Sequence, residues 1–220
     1  PELIKYKTRG LPNIKFNHST SQLLGNGDRW YNKLFWSYSS QIRRKENISH
    51  YSFIEESVAR LVEVKNQKLI FVKNPISQNM NVMRASLLPG LLNTLSFNLN
   101  QGSENIKIFE IGTVFHKTSN NKVNQREVIG GLISGIEGKE NWSGLNKTMD
   151  FFDLKGDLET VLSEFSKITF KSGQVSYLHP GKTALLYKGK KLVGYIGTIN
   201  PKLLDKFDIK KAVNFFEFSV

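Results

Sequence analysis

Hydrophobic and polar positions along this chain alternate with two different periods, one helical and one strand-like. Apolar residues recur at helical spacing within 84–100, and Pro89 is tolerated in a first helical turn. We therefore predict a helix that begins near Ser86. Its apolar stripe comprises Leu87, Leu88, Leu91, Leu92, Leu95 and Leu99. A second helical stripe within 150–165 comprises Leu154, Leu158, Val161, Leu162 and Phe165.

Strand-like alternation dominates most of the remaining chain. We predict strands within 48–54, 68–74, 105–117, 126–136, 167–173, 183–199 and 213–220, with a hairpin turn at 188–190. Gly130 and Gly131 indicate a bulge or a close backbone approach. A short helix at 55–64 and another started by Asn200 and Pro201 complete the pattern. Strands in hairpin order, interrupted by helices, predict an α+β fold with a mainly antiparallel sheet flanked by helices.

The first part of the chain differs from the rest. Residues 1–27 are polar with scattered glycine and proline, and we interpret them as a connector from an upstream module. Residues 28–220 are predicted to form one domain, beginning with a helix at 28–44. The chain starts at Pro1 and stops inside the alternating "VNFFEFSV", so we expect it to be a segment of a longer protein.

Composition narrows the possibilities without deciding among them. The 220 residues are 39% hydrophobic and 23% charged, and they include no cysteine, which excludes disulfides and thiol chemistry. No apolar run reaches the ~20 residues of a membrane helix, so we expect no membrane partner and a cytoplasmic location. The net charge of +12 favours a polyanionic partner such as nucleic acid. A lysine- and asparagine-rich composition explains the same charge equally well.

Titratable residues do not form a recognisable catalytic pattern. The four histidines, His18, His50, His116 and His179, have no metal-ligand spacing. His179 precedes a Pro-Gly turn, where bonding to local backbone is the simpler role. Asp153 is interpreted as a helix N-cap rather than a metal ligand, and Asp157 and Glu159 as favouring the helix dipole. We predict no catalytic, cofactor-binding or metal-binding residue in this chain.

Several stretches together resemble the β subunit of bacterial phenylalanyl-tRNA synthetase. They are "NPISQNMNVMRASLLPGLLNTLSFNLNQG", "IKIFEIGTVF", "DFFDLKGDLETVL", "LHPGKTALLYKGKKLVGYIGTINPKLL" and "VNFFEFSV", in that order. The resemblance implies the catalytic-like fold of class II aminoacyl-tRNA synthetases. It also implies an α subunit as partner in an (αβ)2 assembly, where α charges tRNA(Phe) with phenylalanine using ATP and magnesium.

The resemblance further implies that this module is inactive by itself. A working class II site requires an arginine that clamps the ATP phosphate, and Thr113, Val114 and Phe115 occupy the comparable strand. The resemblance implies that the leucine-rich helix lies near the subunit interface, and we expect Arg84, which precedes it, to order the "NPIS" loop or to pair across the interface. The predicted interface residues are Met83, Arg84, Leu88 and Leu92. Exposure of Met80 and Met83 or of Leu92 in the isolated chain would mark the contact.

Two other functions fit parts of the sequence. A tRNA-binding module would use the basic surface directly and would bind with a steep salt dependence. A stand-alone ATP-dependent ligase would require the phosphate-clamping arginine that the expected strand does not offer.

Overall fold

A computed structural model of the chain describes residues 46–63, 68–118, 120–136, 148–162 and 168–219. The predicted connector at 1–27 and the predicted helix at 28–44 lie outside these residues. The domain boundary at residue 28 therefore stays a prediction.

The described residues contain four α-helices and ten strands. The helices are α1 (Glu56–Leu61), α2 (Leu88–Asn100), α3 (Phe151–Leu162) and α4 (Pro201–Leu204). The first five strands are β1 (Glu46–Asn47), β2 (Phe53–Ile54), β3 (Ile70–Phe71), β4 (Val82–Met83) and β5 (Ile106–Lys117). The others are β6 (Val123–Ser134), β7 (Ile168–Ser172), β8 (Leu178–Lys188), β9 (Lys191–Ile199) and β10 (Val213–Ser219).

The strands form one large sheet and one small sheet. The large sheet has seven strands in the order β1-β5-β6-β10-β9-β8-β7, and only the β1–β5 pair is parallel. The small sheet is antiparallel, in the order β2-β4-β3. The predicted α+β fold with a mainly antiparallel sheet flanked by helices is confirmed.

Each face of the large sheet is covered by a different helix. Because successive strand residues point to opposite faces, Ile108, Leu132 and Phe215 pack with α2, whereas their neighbours Phe109, Ile133 and Phe216 pack with α3. We call these two sides the α2 face and the α3 face.

Helix α2 has the predicted leucine stripe. It begins one turn after Arg84 with Pro89 in its first turn, as expected. Leu88, Leu91, Leu92 and Leu95 have no exposed surface. The helix ends where Gly102 adopts a φ of 83°, a conformation that favours glycine.

The N-terminus of α3 differs from the prediction by one helical turn. Asp150, not Asp153, is the capping residue, because its Oδ1 accepts hydrogen bonds from the backbone N–H groups of Phe152 (2.8 Å) and Asp153 (3.1 Å). Asp153 Oδ2 accepts in return from the Asp150 N–H at 2.7 Å. This reciprocal arrangement is a capping box, and it shows that Asp153 belongs to the first turn of the helix.

Local predictions at the turns were mostly correct. Gly130 and Gly131 mark close packing rather than a bulge, since β5 and β6 pair without a register shift and a Cβ at Gly131 would lie 2.8 Å from the Phe216 ring. His179 Nδ1 accepts from the Gly181 N–H at 3.1 Å, the predicted local role.

Strands β2 and β3 are only two residues long because each pairs with the two-residue strand β4 between them.

Candidate functional site

Two carboxylates lie in one row across the α2 face. Cross-strand pairing aligns Glu110 with Gly130, Gly130 with Glu217, and Glu217 with Tyr195. Glu110 and Glu217 are 0% and 2% exposed. Leu87, at the start of α2, packs over Gly130, where a Cβ would be 3.3 Å from the Leu87 Cβ. The entry to α2 is therefore flanked by a buried acidic group on each side.

Arg84 neutralises the first of these carboxylates. Its Nη1 donates to Glu110 Oε1 at 2.6 Å, and its Nε donates to the Thr113 carbonyl at 2.9 Å. His50 Nδ1 donates to Glu110 Oε2 at 2.7 Å, and His50 Nε2 lies 2.8 Å from Thr94 Oγ1. We call Arg84, Glu110, His50 and Thr94 the Arg84 network. It joins β5, α2 and the segment before β2.

The partners that the structure gives Arg84 lie within the described part of the chain. They are Glu110, Thr113 and the His50 carbonyl, all within the chain's own fold, and none lies in the "NPIS" loop at 74–77. The guanidinium is buried and paired within the fold, and these bonds do not reach the "NPIS" loop. These bonds hold the segment that precedes α2 against strand β5 of the large sheet. Pairing of Arg84 across a subunit interface stays a prediction.

The other predicted interface residues fall into two groups. Met83 is half-buried, on the central strand of the small sheet. Leu88 and Leu92 are 0% exposed in the core of the α2 face. Leu92 therefore does not mark an interface by exposure, and neither leucine offers surface to a partner in this conformation. A contact near this segment stays a prediction.

Glu217, the second buried carboxylate, accepts hydrogen bonds from the residues at the start of α2. Its Oε2 accepts from the Leu87 N–H at 2.7 Å and from Ser86 Oγ at 2.8 Å. Its Oε1 accepts from the Tyr195 hydroxyl at 2.8 Å, and Tyr195 in turn accepts from the Tyr177 hydroxyl at 2.6 Å. A carboxylate at a helix start satisfies N–H groups that lack intrahelical partners. We call Glu217, Ser86, Tyr195 and Tyr177 the Glu217 network.

The surroundings shift the pKa values of the two carboxyls in opposite directions. Burial raises the pKa of Glu110, but the His50 hydrogen bond and the Arg84 charge together outweigh burial, so that pKa is lowered. Burial raises the pKa of Glu217, and its hydrogen bonds from Leu87, Tyr195 and Ser86 offset only part of that effect. The difference arises because a cation directly contacts Glu110 alone.

A cavity of about 200 Å³ opens beside the Glu217 network. Its polar lining residues include Arg126 on β6, together with Tyr177, Tyr195 and Glu217. Arg126 pairs with Val114 across β5 and β6, and its Nε is buried without a hydrogen-bond partner. On the same hairpin, the pKa of His116 is lowered by burial and then by the Arg126 charge, which favours the neutral imidazole.

These residues do not match the requirements of nucleotide chemistry. Thr113, Val114 and Phe115 offer no cation on β5, and Arg84 is already paired with Glu110. The cavity is smaller than the roughly 300–1,000 Å³ typical of drug-sized ligands, and a nucleoside triphosphate is larger still. Within the described ranges no cluster of three or more His, Cys, Asp or Glu residues has the arrangement of a metal site.

Sequence reasoning missed Glu110, Glu217 and Arg126. Each acidic residue is the single charged position within an otherwise apolar part of a strand, "IFEIG" and "NFFEFS". Such a position on the buried side of a strand indicates a paired, buried charge, and this signal was available. The location of Arg126 beside a cavity could not be predicted in this way, because residues of β6, β8, β9 and β10 together line that cavity.

Comparison with solved structures identifies the class of protein to which this fold belongs. PylSc of Desulfitobacterium hafniense, a pyrrolysyl-tRNA synthetase, superposes with a TM-score of 0.64 at 17% identity, covering 88% of this chain and 66% of that one. A second structure of pyrrolysyl-tRNA synthetase from the same organism gives a TM-score of 0.63 at 15% identity. The chain thus has the fold of an aminoacyl-tRNA synthetase.

Sequence comparison then identifies the family. The profile described as the phenylalanyl tRNA synthetase beta chain CLM domain matches residues 45–220. The phenylalanine–tRNA ligase β subunits of Photorhabdus laumondii and Pseudoalteromonas translucida are 38% and 37% identical over 172 and 175 residues. The chain belongs to this family, as its resemblance predicted. These alignments cover 76–77% of this chain but only 22% of each relative.

Proposed function

We propose that this chain is a non-catalytic module of a phenylalanine–tRNA ligase β subunit and that it scaffolds the α subunit. In this proposal the α subunit activates phenylalanine with ATP and magnesium and transfers it to tRNA(Phe). The module contributes shape and contact surface rather than reacting groups. The assembly is cytoplasmic and contains two copies of each subunit.

The observation that carries the proposal is an apolar row across the small sheet. Phe53 on β2, Met83 on β4 and Ile70 on β3 are direct cross-strand partners and so share one face. Met83 and Ile70 are half-buried, whereas Phe53 is 38% exposed and Tyr51, two residues earlier, is 75% exposed. In the opposite row Val82 is fully buried but Phe71 is 52% exposed. Partly exposed aromatic side chains beside half-buried aliphatic ones are typical of a protein–protein contact.

The α2 face supports a structural rather than a catalytic role. Arg84 and Glu217, two buried charged groups beside α2, hold the start of that helix on the sheet. A catalytic group must be available to a substrate, and these two are occupied by internal partners. The cavity on this face, of about 200 Å³, is also too small for a nucleotide.

The direct test is complex formation between the 220-residue chain and the isolated α subunit, measured by size-exclusion chromatography with light scattering. We expect the wild-type chain to form a complex and Phe53→Lys to weaken it. Phe152→Lys is the matched control, because Phe152 is 73% exposed on α3, which covers the other face of the large sheet. Equal binding by Phe53→Lys and wild type, or no binding by the folded wild-type chain, contradicts the proposal.

Direct tRNA binding is the second candidate, and the net charge of +12 favours it. Exposed lysines occur at the β8–β9 turn and around the last strand connection: Lys188, Lys190, Lys191, Lys206, Lys210 and Lys211. Binding of tRNA by the chain without α, with an affinity that falls steeply as salt rises, would support this function. Under the scaffold proposal, tRNA binding requires the α subunit.

A further inference from the structure

The cavity on the α2 face contains one charged group, Arg126, whose Nε–H has no hydrogen-bond partner. Arg126 makes no hydrogen bond or ion pair with any residue in the described part of the chain, and its Nε is fully shielded from solvent. A buried N–H group without a partner is uncommon in native proteins, because its lost hydration is not replaced. An anion bound against the guanidinium would supply the missing partner.

The nearest carboxylate does not fill this role. Glu217 also lines the cavity, but its oxygens already accept from Ser86, Leu87 and Tyr195. No ion pair joins Glu217 to Arg126 among the described residues, although the Arg126 charge offsets part of the rise in the pKa of Glu217. Arg126 is half-buried, and its Nε–H remains available to a molecule that enters the cavity.

The rest of the cavity defines the body of that molecule. Most of the wall is hydrocarbon, from Val128, Val175, Leu185, Leu192 and Val193. A volume of about 200 Å³ equals roughly seven times the ~30 Å³ share of one water in the liquid. This volume suits a molecule of about a dozen heavy atoms and excludes a nucleotide. An inorganic anion would leave the apolar wall without a contact.

We infer that this cavity binds a small organic carboxylate with an apolar body, the carboxylate paired with Arg126 and the body against the valine and leucine side chains. A guanidinium matches a carboxylate with two parallel N–H···O bonds. Burial of hydrocarbon against the wall adds the remaining affinity. The inference depends on the α2 face alone and not on contact with the α subunit.

The test is a titration of the ¹⁵N-labelled chain with two probes of matched shape, 3-phenylpropanoate and 2-phenylethylamine, followed by NMR. We expect 3-phenylpropanoate to shift the Arg126 Nε–H resonance and the amides of Val193 and Gly194, with a Kd of about a millimolar or tighter. The amine has the same ring but no anion, and we expect at least tenfold weaker binding. Equal binding of the two probes, or no shift with the carboxylate, overturns the inference.

Three variants separate the roles of charge and fold. Arg126→Gln removes the cation and should weaken 3-phenylpropanoate roughly tenfold or more. Lys122→Gln is the control, because this exposed lysine lies on the same hairpin outside the cavity. Leu192→Glu adds a negative charge at a half-exposed position of the wall and should also weaken binding, which provides a test even if Arg126→Gln does not fold. If Leu192→Glu and a folded Arg126→Gln both bind 3-phenylpropanoate as tightly as the wild type, the assignment is contradicted. Tighter binding of inorganic phosphate than of 3-phenylpropanoate also contradicts it.

Discussion

Replacing Arg84 with methionine tests whether the buried ion pair holds the entry of α2 on the sheet. Methionine keeps most of the side chain's length but leaves Glu110, which is 0% exposed, without its cation. Removing one member of a buried ion pair typically costs about 3–5 kcal/mol, because the remaining charge stays buried and unpaired. His50 still donates to Glu110, so we expect a loss near the lower end, about 3 kcal/mol.

The assay is urea unfolding followed by circular dichroism, with the free energy of unfolding obtained by linear extrapolation. Arg60→Met is the matched control, since Arg60 forms a surface pair with Glu56 at 2.6 Å and is 56% exposed. Surface pairs of this kind contribute less than about 1 kcal/mol. If Arg84→Met costs no more than Arg60→Met, the ion pair does not fasten α2 and the reasoning is refuted.

The pH dependence of the same variant gives a second readout. In the wild type the pKa of Glu110 is lowered, so its ionised form contributes stability above the ordinary pKa, and this contribution is lost as pH falls through the lowered pKa. Without Arg84, burial dominates and the pKa of Glu110 should rise. The stability lost in Arg84→Met should then be larger near pH 7 than near pH 4. A loss that is constant over this range contradicts the assignment to Glu110.

Three further substitutions test the packing at two glycines and the titration of Glu217. Gly156→Ala should raise the free energy of unfolding by about 0.5–1 kcal/mol, because Gly156 lies within α3 with nothing within 4 Å of an added Cβ. Gly194→Ala should lower it by about 1–3 kcal/mol, because its Cβ would collide with the Glu217 carbonyl. Urea unfolding of both variants checks the sign of each change. Glu217 has a raised pKa, so its protonated form favours the folded state, and this contribution is lost as pH rises through the raised pKa. Glu217→Gln should therefore flatten the decline in stability from about pH 4.5 upward, and an unchanged pH profile would show that Glu217 is not the titrating group.

The sequence alone predicted the elements whose local patterns agree with the fold. The leucine stripe of α2, the long alternating strands β5 and β6, and the Gly189 turn between β8 and β9 all formed as expected. Each depends on periodicity or on a glycine conformation within a few neighbouring residues. The same locality explains the error at α3, where Asp150 and Asp153 both satisfy the rule for a cap and only the backbone geometry distinguishes them.

Tertiary structure decided the roles of the charged residues. Arg84 pairs with Glu110, 26 positions away, and Ser86 bonds Glu217 across 131 positions, because the register of non-consecutive strands brings these groups together beside α2. The apolar pattern around Leu92 fits a contact with a partner and a contact with the chain's own core equally well, so the sequence could not distinguish the two. The sequence thus determined which faces are apolar, through hydrophobic periodicity. Only the packing of sheet and helices determined which charges those faces enclose, because burial and pairing depend on contacts between distant segments.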